Sequence, residues 1–232
     1  MSIRVQDILP TGWRDVFTPN DPVGIGIDLG TTTKKKSNPT SIAVLQKVLN
    51  DFYARLVIRY KTNDPDITEA LINQVHDLPH GLRARRTCID ATNERFFATT
   101  LRRNLMGKAV VVLVISSEST TYLGEKMNFK TYLGNLFVNT IDDGRLALPP
   151  EPWLEKDIRQ VVRDRGMFDA DVDEEGNHAD AFDGIKNALH ALTGSSAGPV
   201  EAHAAPVGTF SKGPGSHWPI GGRGESRTTN LY

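Results

Sequence analysis

The stretch 23-VGIGIDLGTTTKKKSNPTSIAVLQKV-48 decides how this chain is read. Residues 23–29 are an apolar run with β-branched side chains, bounded by a polar loop, and they read as a buried strand. The run ends on a carboxylate, Asp28, followed by Gly30 and a threonine-rich loop that carries Lys34, Lys35 and Lys36. A charge at the end of an apolar strand is costly unless it has a partner or a cation. Taken alone, Asp28 also reads as a turn-former that closes the strand.

Working outward, residues 40–48 and 52–61 read as two more strands. The short connections between the three suggest an antiparallel meander. Residues 66–77 have apolar positions at helical spacing, Ile67, Leu71, Ile72 and Val75. A short strand at 86–90 and a helix at 93–106 follow. Residues 109–115 (AVVVLVI) form the most apolar strand, as expected where both faces are covered. Helices are predicted at 124–142, 151–163 and about 178–192, the last with Phe182, Ile185, Leu189 and Leu192 on one face.

This order predicts an α/β fold, a mixed sheet flanked by helices, with residues 1–22 as an irregular lead-in and 23–192 as the folded domain. Of residues 193–232, 17 are Gly, Pro or Ser, and no apolar period survives. That composition predicts a flexible or partner-binding tail.

Bulk properties narrow the function classes. The single cysteine, Cys88, rules out an intramolecular disulfide and points to a reducing, cytoplasmic compartment. Cys88 lies inside an apolar strand and reads as a small core residue. No window approaches the apolar length of a membrane span. The net charge of -1 hides segregation: basic residues cluster at Lys34–Lys36 and between Arg83 and Lys108, whereas residues 169–175 (DADVDEE) hold five carboxylates. The latter run imitates a calcium loop but has Glu174 where the sixth position needs glycine.

Asp90 repeats the pattern of Asp28, ending an apolar strand before a polar helix opening. It too has an ordinary reading, a strand-to-helix loop with Thr92 or Asn93 as helix cap. A third acidic group, 178-HADAFD-183, opens the last helix, and periodicity does not choose between Asp180 and Asp183. First-turn acids also complement a helix dipole. Carboxylates gathered together raise one another's pKa, and hard divalent cations relieve that, so oxygen ligands alone suit Mg²⁺ or Mn²⁺. Two such ions about 4 Å apart can hold and cleave a phosphodiester.

The opening segment resembles ribonuclease H-like proteins, a superfold that includes nucleases and actin-like ATPases; the string GIDLGTT is similar to the first phosphate loop of chaperone ATPases. The strands ending at Asp28 and Asp90, the segment EKMNFKTYLGNLFVNTIDDGRLALP and the helix GNHADAFDGIKNAL together resemble the C-terminal nuclease domain of tailed-phage large terminases, over about residues 23–192. The resemblance implies metal ligation by Asp28, Asp90 and Asp180, with Asp183 the alternative third ligand. It places His178 near the site and leaves Glu94 as a substitute or supporting acid. It also implies a two-metal DNA endonuclease that cuts concatemeric viral DNA in the host cytoplasm. Its partners would be a packaging ATPase domain, a small terminase subunit and a portal or procapsid, the isolated domain being monomeric. Lys34, Lys35 and Lys36, directly after Asp28, would contact phosphates of double-stranded DNA. An ATP-binding fragment and a non-catalytic docking module are the alternative readings.

Overall fold

The computed structural model describes residues 4–33, 37–164, 167–170 and 179–194. A short helix α1 (Val5–Ile8) and a 3-10 turn (Trp13–Val16) lead into β1 (Val23–Asp28), β2 (Thr40–Val48) and β3 (Asp51–Tyr60). Then come α2 (Pro65–His76), β4 (Ala84–Asp90), α3 (Arg95–Asn104) and β5 (Val111–Val114). A hairpin of β6 (Ser119–Tyr122) and β7 (Glu125–Asn128) precedes α4 (Phe129–Asp142). The remaining elements are β8 (Leu146–Ala147), α5 (Pro152–Arg159), the hairpin β9 (Val161–Asp164) and β10 (Met167–Ala170), and α6 (Asp180–Thr193).

Six strands form one mixed sheet in the order β5-β4-β1-β2-β3-β8. β1, β2 and β3 are the expected antiparallel meander, and β4 lies parallel to β1 on its other side. Strand alternation sends alternate residues to opposite faces. Ile25, Ile27, Ile42, Val44 and Ile58 enter one core with Trp13, Phe17 and the inner faces of α2 and α3. Ala43, Leu45 and Val57 enter the other, beneath α4, α5 and α6. The result is a sheet between two helical layers, matching a ribonuclease H-like fold.

Local chemistry sets several boundaries. Pro65 takes the first position of α2, and the Asp64 side chain accepts the backbone N–H of Asp66 at 3.0 Å. Asn128 caps α4 in the same way, accepting from the Thr131 N–H at 2.6 Å. This cap explains why the helix expected at 124–142 begins only at Phe129. Leu123 and Gly124 both adopt positive φ, 51° and 86°, and turn the chain so that Glu125–Asn128 pair with β6. Likewise the helix expected at 151–163 stops at Arg159, because Val161–Asp164 pair with β10. The segment read as a strand covered on both faces is instead an edge strand, paired only with β4, and of its four residues only Val114 is buried. The lead-in, read as irregular, holds the short helix α1 and the 3-10 turn and joins the core through Trp13 and Phe17. The tail from residue 195 onward, Lys34–Lys36 and 171–178 (with His178 and most of the calcium-like run) lie outside the described residues.

Candidate active site

Because β1 and β4 run parallel, with Asp28 in register with Asp90, both carboxylates emerge side by side at one edge of the sheet. Adjacent strands lie about 4.8 Å apart, so the two side chains are neighbours. Each residue keeps partial exposure, while residues 23–27 before Asp28 and 86–89 before Asp90 are buried. Asp90 is oriented by two donors: the Thr92 N–H reaches its Oδ1 at 2.8 Å and the Ser116 hydroxyl its Oδ2 at 3.4 Å.

The third acidic element arrives through close packing. On the α6 side of β1 the alternation supplies only glycine, Gly24 and Gly26, before Asp28. A Cβ built on Gly26 would stand 2.1 Å from the Gly184 carbonyl oxygen and 2.2 Å from the Ala188 nitrogen. Only hydrogen at that position lets the helix backbone rest on the strand. Asn187 Nδ2 donates to the Ile27 carbonyl at 3.4 Å, tying the helix to the residue before Asp28. From α5, the buried carboxylate of Asp157 accepts the Ala181 N–H at 2.9 Å and pairs with Arg59 at 3.0 Å. Desolvation pushes the Asp157 carboxyl up, against the lowering effect of the Ala181 N–H and Arg59. The N-terminal turn of α6 is thus fixed from two directions, and it carries Asp180 and Asp183.

The two differ in setting. Asp180 is buried, with 1% exposure. The Asp183 side chain keeps 31% exposure, lines a recess of about 170 Å³ with Asn38, Lys130 and Phe168, and contacts the Lys186 ammonium. Burial and then the charges of Asp183, Asp90 and Asp180, in that order, hold the Asp28 carboxyl well above the usual carboxylate range; Lys186 opposes them. Glu94 is engaged elsewhere in the site's rim: it accepts the Thr31 hydroxyl at 2.5 Å and so ties the loop after Asp28 to the start of α3.

Among the described residues, no three His, Cys, Asp or Glu side chains converge closely enough to hold a metal ion as they stand. The donor set nevertheless fits a hard cation. It offers carboxylate oxygens only, and their mutual repulsion at Asp28 is the strain that a divalent ion removes.

Other sequence features resolve differently. Gly30 in GIDLGTT packs on one side against its own loop, where a Cβ would meet the Asn38 carbonyl oxygen at 2.2 Å, and on the other borders a cavity of about 190 Å³ with Thr31, Thr62 and Phe97. The Thr40 hydroxyl braces the loop, accepting from the Gly30 N–H at 3.0 Å and donating to the Gly30 carbonyl at 2.8 Å. Cys88 is fully buried and burial pushes its thiol up to about 12, in keeping with a core residue. The basic run at Arg83–Arg86 enters β4 at the end opposite Asp90, about 20 Å away along the strand. Arg86 is buried there and donates to the Gly194 carbonyl. Among the described residues no helix is long and apolar enough to cross a membrane.

Sequence reasoning did not single out Asp157, Lys186 or the glycines of β1. The first two carry no local signal, being charged residues on helices. The third did: in VGIGID, isoleucine and glycine alternate, which marks a strand with one face packed by side chains and the other by a backbone.

The fold recurs in known proteins. The family model described as the terminase RNaseH-like domain matches residues 25–192. Among solved structures, the chain is similar to the large terminase nuclease from thermophilic phage G20c, with a TM-score of 0.55 and 16% identity over 74% of this chain and 83% of that one. It is similar to the nuclease domain of the Thermus phage P74-26 large terminase, with a TM-score of 0.51 and 13% identity, covering 74% and 80%. It also matches the large terminase of a further thermophilic bacteriophage, with a TM-score of 0.52 and 15% identity over 81% of this chain, but spans only 43% of that longer protein. No curated protein matches. The structural likenesses speak for the fold, and the sequence model covers most of the chain and every carboxylate of the site. This chain belongs to the terminase RNaseH-like domain family.

Proposed function

We propose that the chain is a divalent-metal-dependent endodeoxyribonuclease domain, the DNA-cutting part of a phage packaging terminase. The observation that carries this is the register of Asp28 against Asp90, with the acidic turn of α6 locked beside them. In this reading Asp28 and Asp90 are ligands. Of the two acids left open by the sequence, Asp183 is the better third ligand. It is the more accessible, and its charge weighs more heavily on Asp28 than that of Asp180. Asp180 then reinforces the negative field from beneath.

Mg²⁺ or Mn²⁺ bound there would polarise the scissile phosphodiester and supply a hydroxide near neutral pH. The chain's own residues do the positioning. Thr92 and Ser116 fix the rotamer of Asp90, Thr31 and Glu94 hold the loop at the site's rim, and Asp157 anchors the helix. Lys34, Lys35 and Lys36, and Lys130 at the recess, are proposed to contact backbone phosphates, which favours sequence-independent binding. Within a full terminase the partners would be a packaging ATPase domain, a small terminase subunit and a portal.

The test is nicking of supercoiled plasmid by the purified chain with Mn²⁺ or Mg²⁺ and with EDTA. Cutting that needs the metal and is lost in Asp28→Asn and Asp90→Asn is the expected result. Undiminished cutting by both variants, or none by the wild type with either ion, sinks the proposal.

A further inference from the structure

The acidic turn of α6 contains a cation of its own. Lys186 sits one turn beyond Asp183 and contacts its Oδ1, and only 2% of the lysine side chain is exposed. An i,i+3 pair on a helix surface is a weak, screened interaction. This one is not on the surface. The ammonium lies 5.1 Å from the Phe182 ring, on a helix whose neighbours Ile185, Asn187 and Ala188 are fully buried against the sheet. A buried ammonium is expensive unless it is paired, so the fold does not carry this lysine for solubility. It also keeps Asp183 turned toward α6, and no three acids close on a common point among the described residues.

We propose that Lys186 is a resident positive centre of the site. It takes the place of one of two cations, so that the chain binds a single divalent ion between Asp28, Asp90 and Asp183. This rests on the metal-dependent reading given above. The charge balance supports it. The four carboxylates of Asp28, Asp90, Asp180 and Asp183 with one ammonium leave three negative charges; one divalent ion reduces these to one, and a second would turn the site net positive. A second ion would have to enter beside a buried ammonium that already contacts Asp183 Oδ1. The arrangement also has a structural use, since an internal cation holds the acidic turn against the sheet when no metal is bound. Lys186 is thus a positioning residue, acting on the reaction through Asp183.

The proposal is tested by calorimetric titration of the full 232-residue chain with Mn²⁺, alongside melting temperatures in EDTA and in saturating Mn²⁺. The wild type should bind one ion per chain. Lys186→Met should melt lower than wild type in EDTA and recover more on adding Mn²⁺, with a gain about twofold larger than the wild-type gain, because the ion then supplies charge that the lysine supplied before. Lys186→Arg, which keeps the charge, should retain one ion per chain. Two ions of comparable affinity on the wild type overturn the proposal, as does a Lys186→Met chain with the wild-type Mn²⁺ gain. If Lys186→Met does not fold, the wild-type stoichiometry alone decides. The two readings fail differently. A wild type that binds no Mn²⁺ and cuts no DNA removes the nuclease reading and this inference with it. A wild type that cuts but holds two ions removes only the inference.

Discussion

The two faces of β1 are built by opposite rules. On one, Val23, Ile25 and Ile27 fill a side-chain core shared with α2 and α3. On the other, Gly24 and Gly26 present no side chain, and the backbone of α6 lies directly on the strand. The first face stores stability in apolar area and tolerates small adjustments. The second gives up that area to bring a helix close, and what it gains is placement: Asp183 and Lys186 arrive within reach of Asp28. The same six residues therefore serve as foundation on one side and as a jig for the charged site on the other.

The comparison breaks hardest at Gly26. Replacing it with valine or alanine puts a carbon where the Gly184 carbonyl and the Ala188 nitrogen already are, and backbone atoms cannot swing aside as a flexible side chain can. We expect Gly26→Val to cost more than about 4 kcal/mol, a large share of a typical domain's stability, and to yield little folded protein. A urea melt of Gly26→Val close to wild type would show that α6 is not seated as described. Its neighbour across the pleat has a different signature. Ile25→Ala should destabilise by about 2–5 kcal/mol, while the molecules that remain folded keep wild-type Mn²⁺ affinity and nicking. A selective loss of metal binding in Ile25→Ala would mean that the two faces are not independent.

How much of this was legible beforehand follows the same division. Side-chain faces announce themselves by periodicity, so the meander, α2 and the apolar side of α6 were readable. Asp28 and Asp90 were readable because a charge closing an apolar strand is conspicuous. What periodicity cannot show is pairing. Val111–Val114 looked like a central strand because its composition is apolar, yet its edge position depends on which strand docks next to it. Glu125–Asn128 looked helical because their residues are neutral between states, and a positive-φ turn at Leu123–Gly124 decided the matter. The difference between Asp180 and Asp183 was invisible for a related reason: both read as lying off the apolar face, yet the seating of α6 buries Asp180 and leaves Asp183 partly exposed.

A smaller effect sharpens the contrast within the charged region itself. Asp28→Asn removes a charge but little volume, at a position where three other acids and Lys186 act. It should lower Mn²⁺ affinity and nicking by at least about 10²-fold, yet leave the metal-free melting temperature unchanged or raised, because one repelling charge is gone. Loss of function combined with loss of metal-free stability would place Asp28 among the structural residues instead.

The least dramatic prediction is a slope with pH, and its sign separates the two faces. Asp28 has its carboxyl raised by burial first, then by Asp183, Asp90 and Asp180, with Lys186 pulling the other way. Between the ordinary carboxylate range and that raised value, the folded chain holds a proton that the unfolded chain has released. The Asp28 contribution to the stability of the metal-free protein therefore falls as pH rises through this window, since folding binds the proton. On the apolar side the term has the opposite sign: burial lowers the His76 imidazole of α2. Melting temperatures in EDTA should thus fall for the wild type relative to Asp28→Asn as pH rises above the ordinary carboxylate range, while His76 and His190, both lowered by burial, tilt the two curves alike the other way. Mn²⁺ should reverse the relative fall, because the ion competes with the proton and gains affinity as pH rises. Ile25→Ala should shift the whole curve down without altering its shape. A wild-type curve that climbs relative to that of Asp28→Asn through the same window would mean that Asp28 is held as a carboxylate by its surroundings, and that the acidic turn of α6 does not repel it in the folded chain.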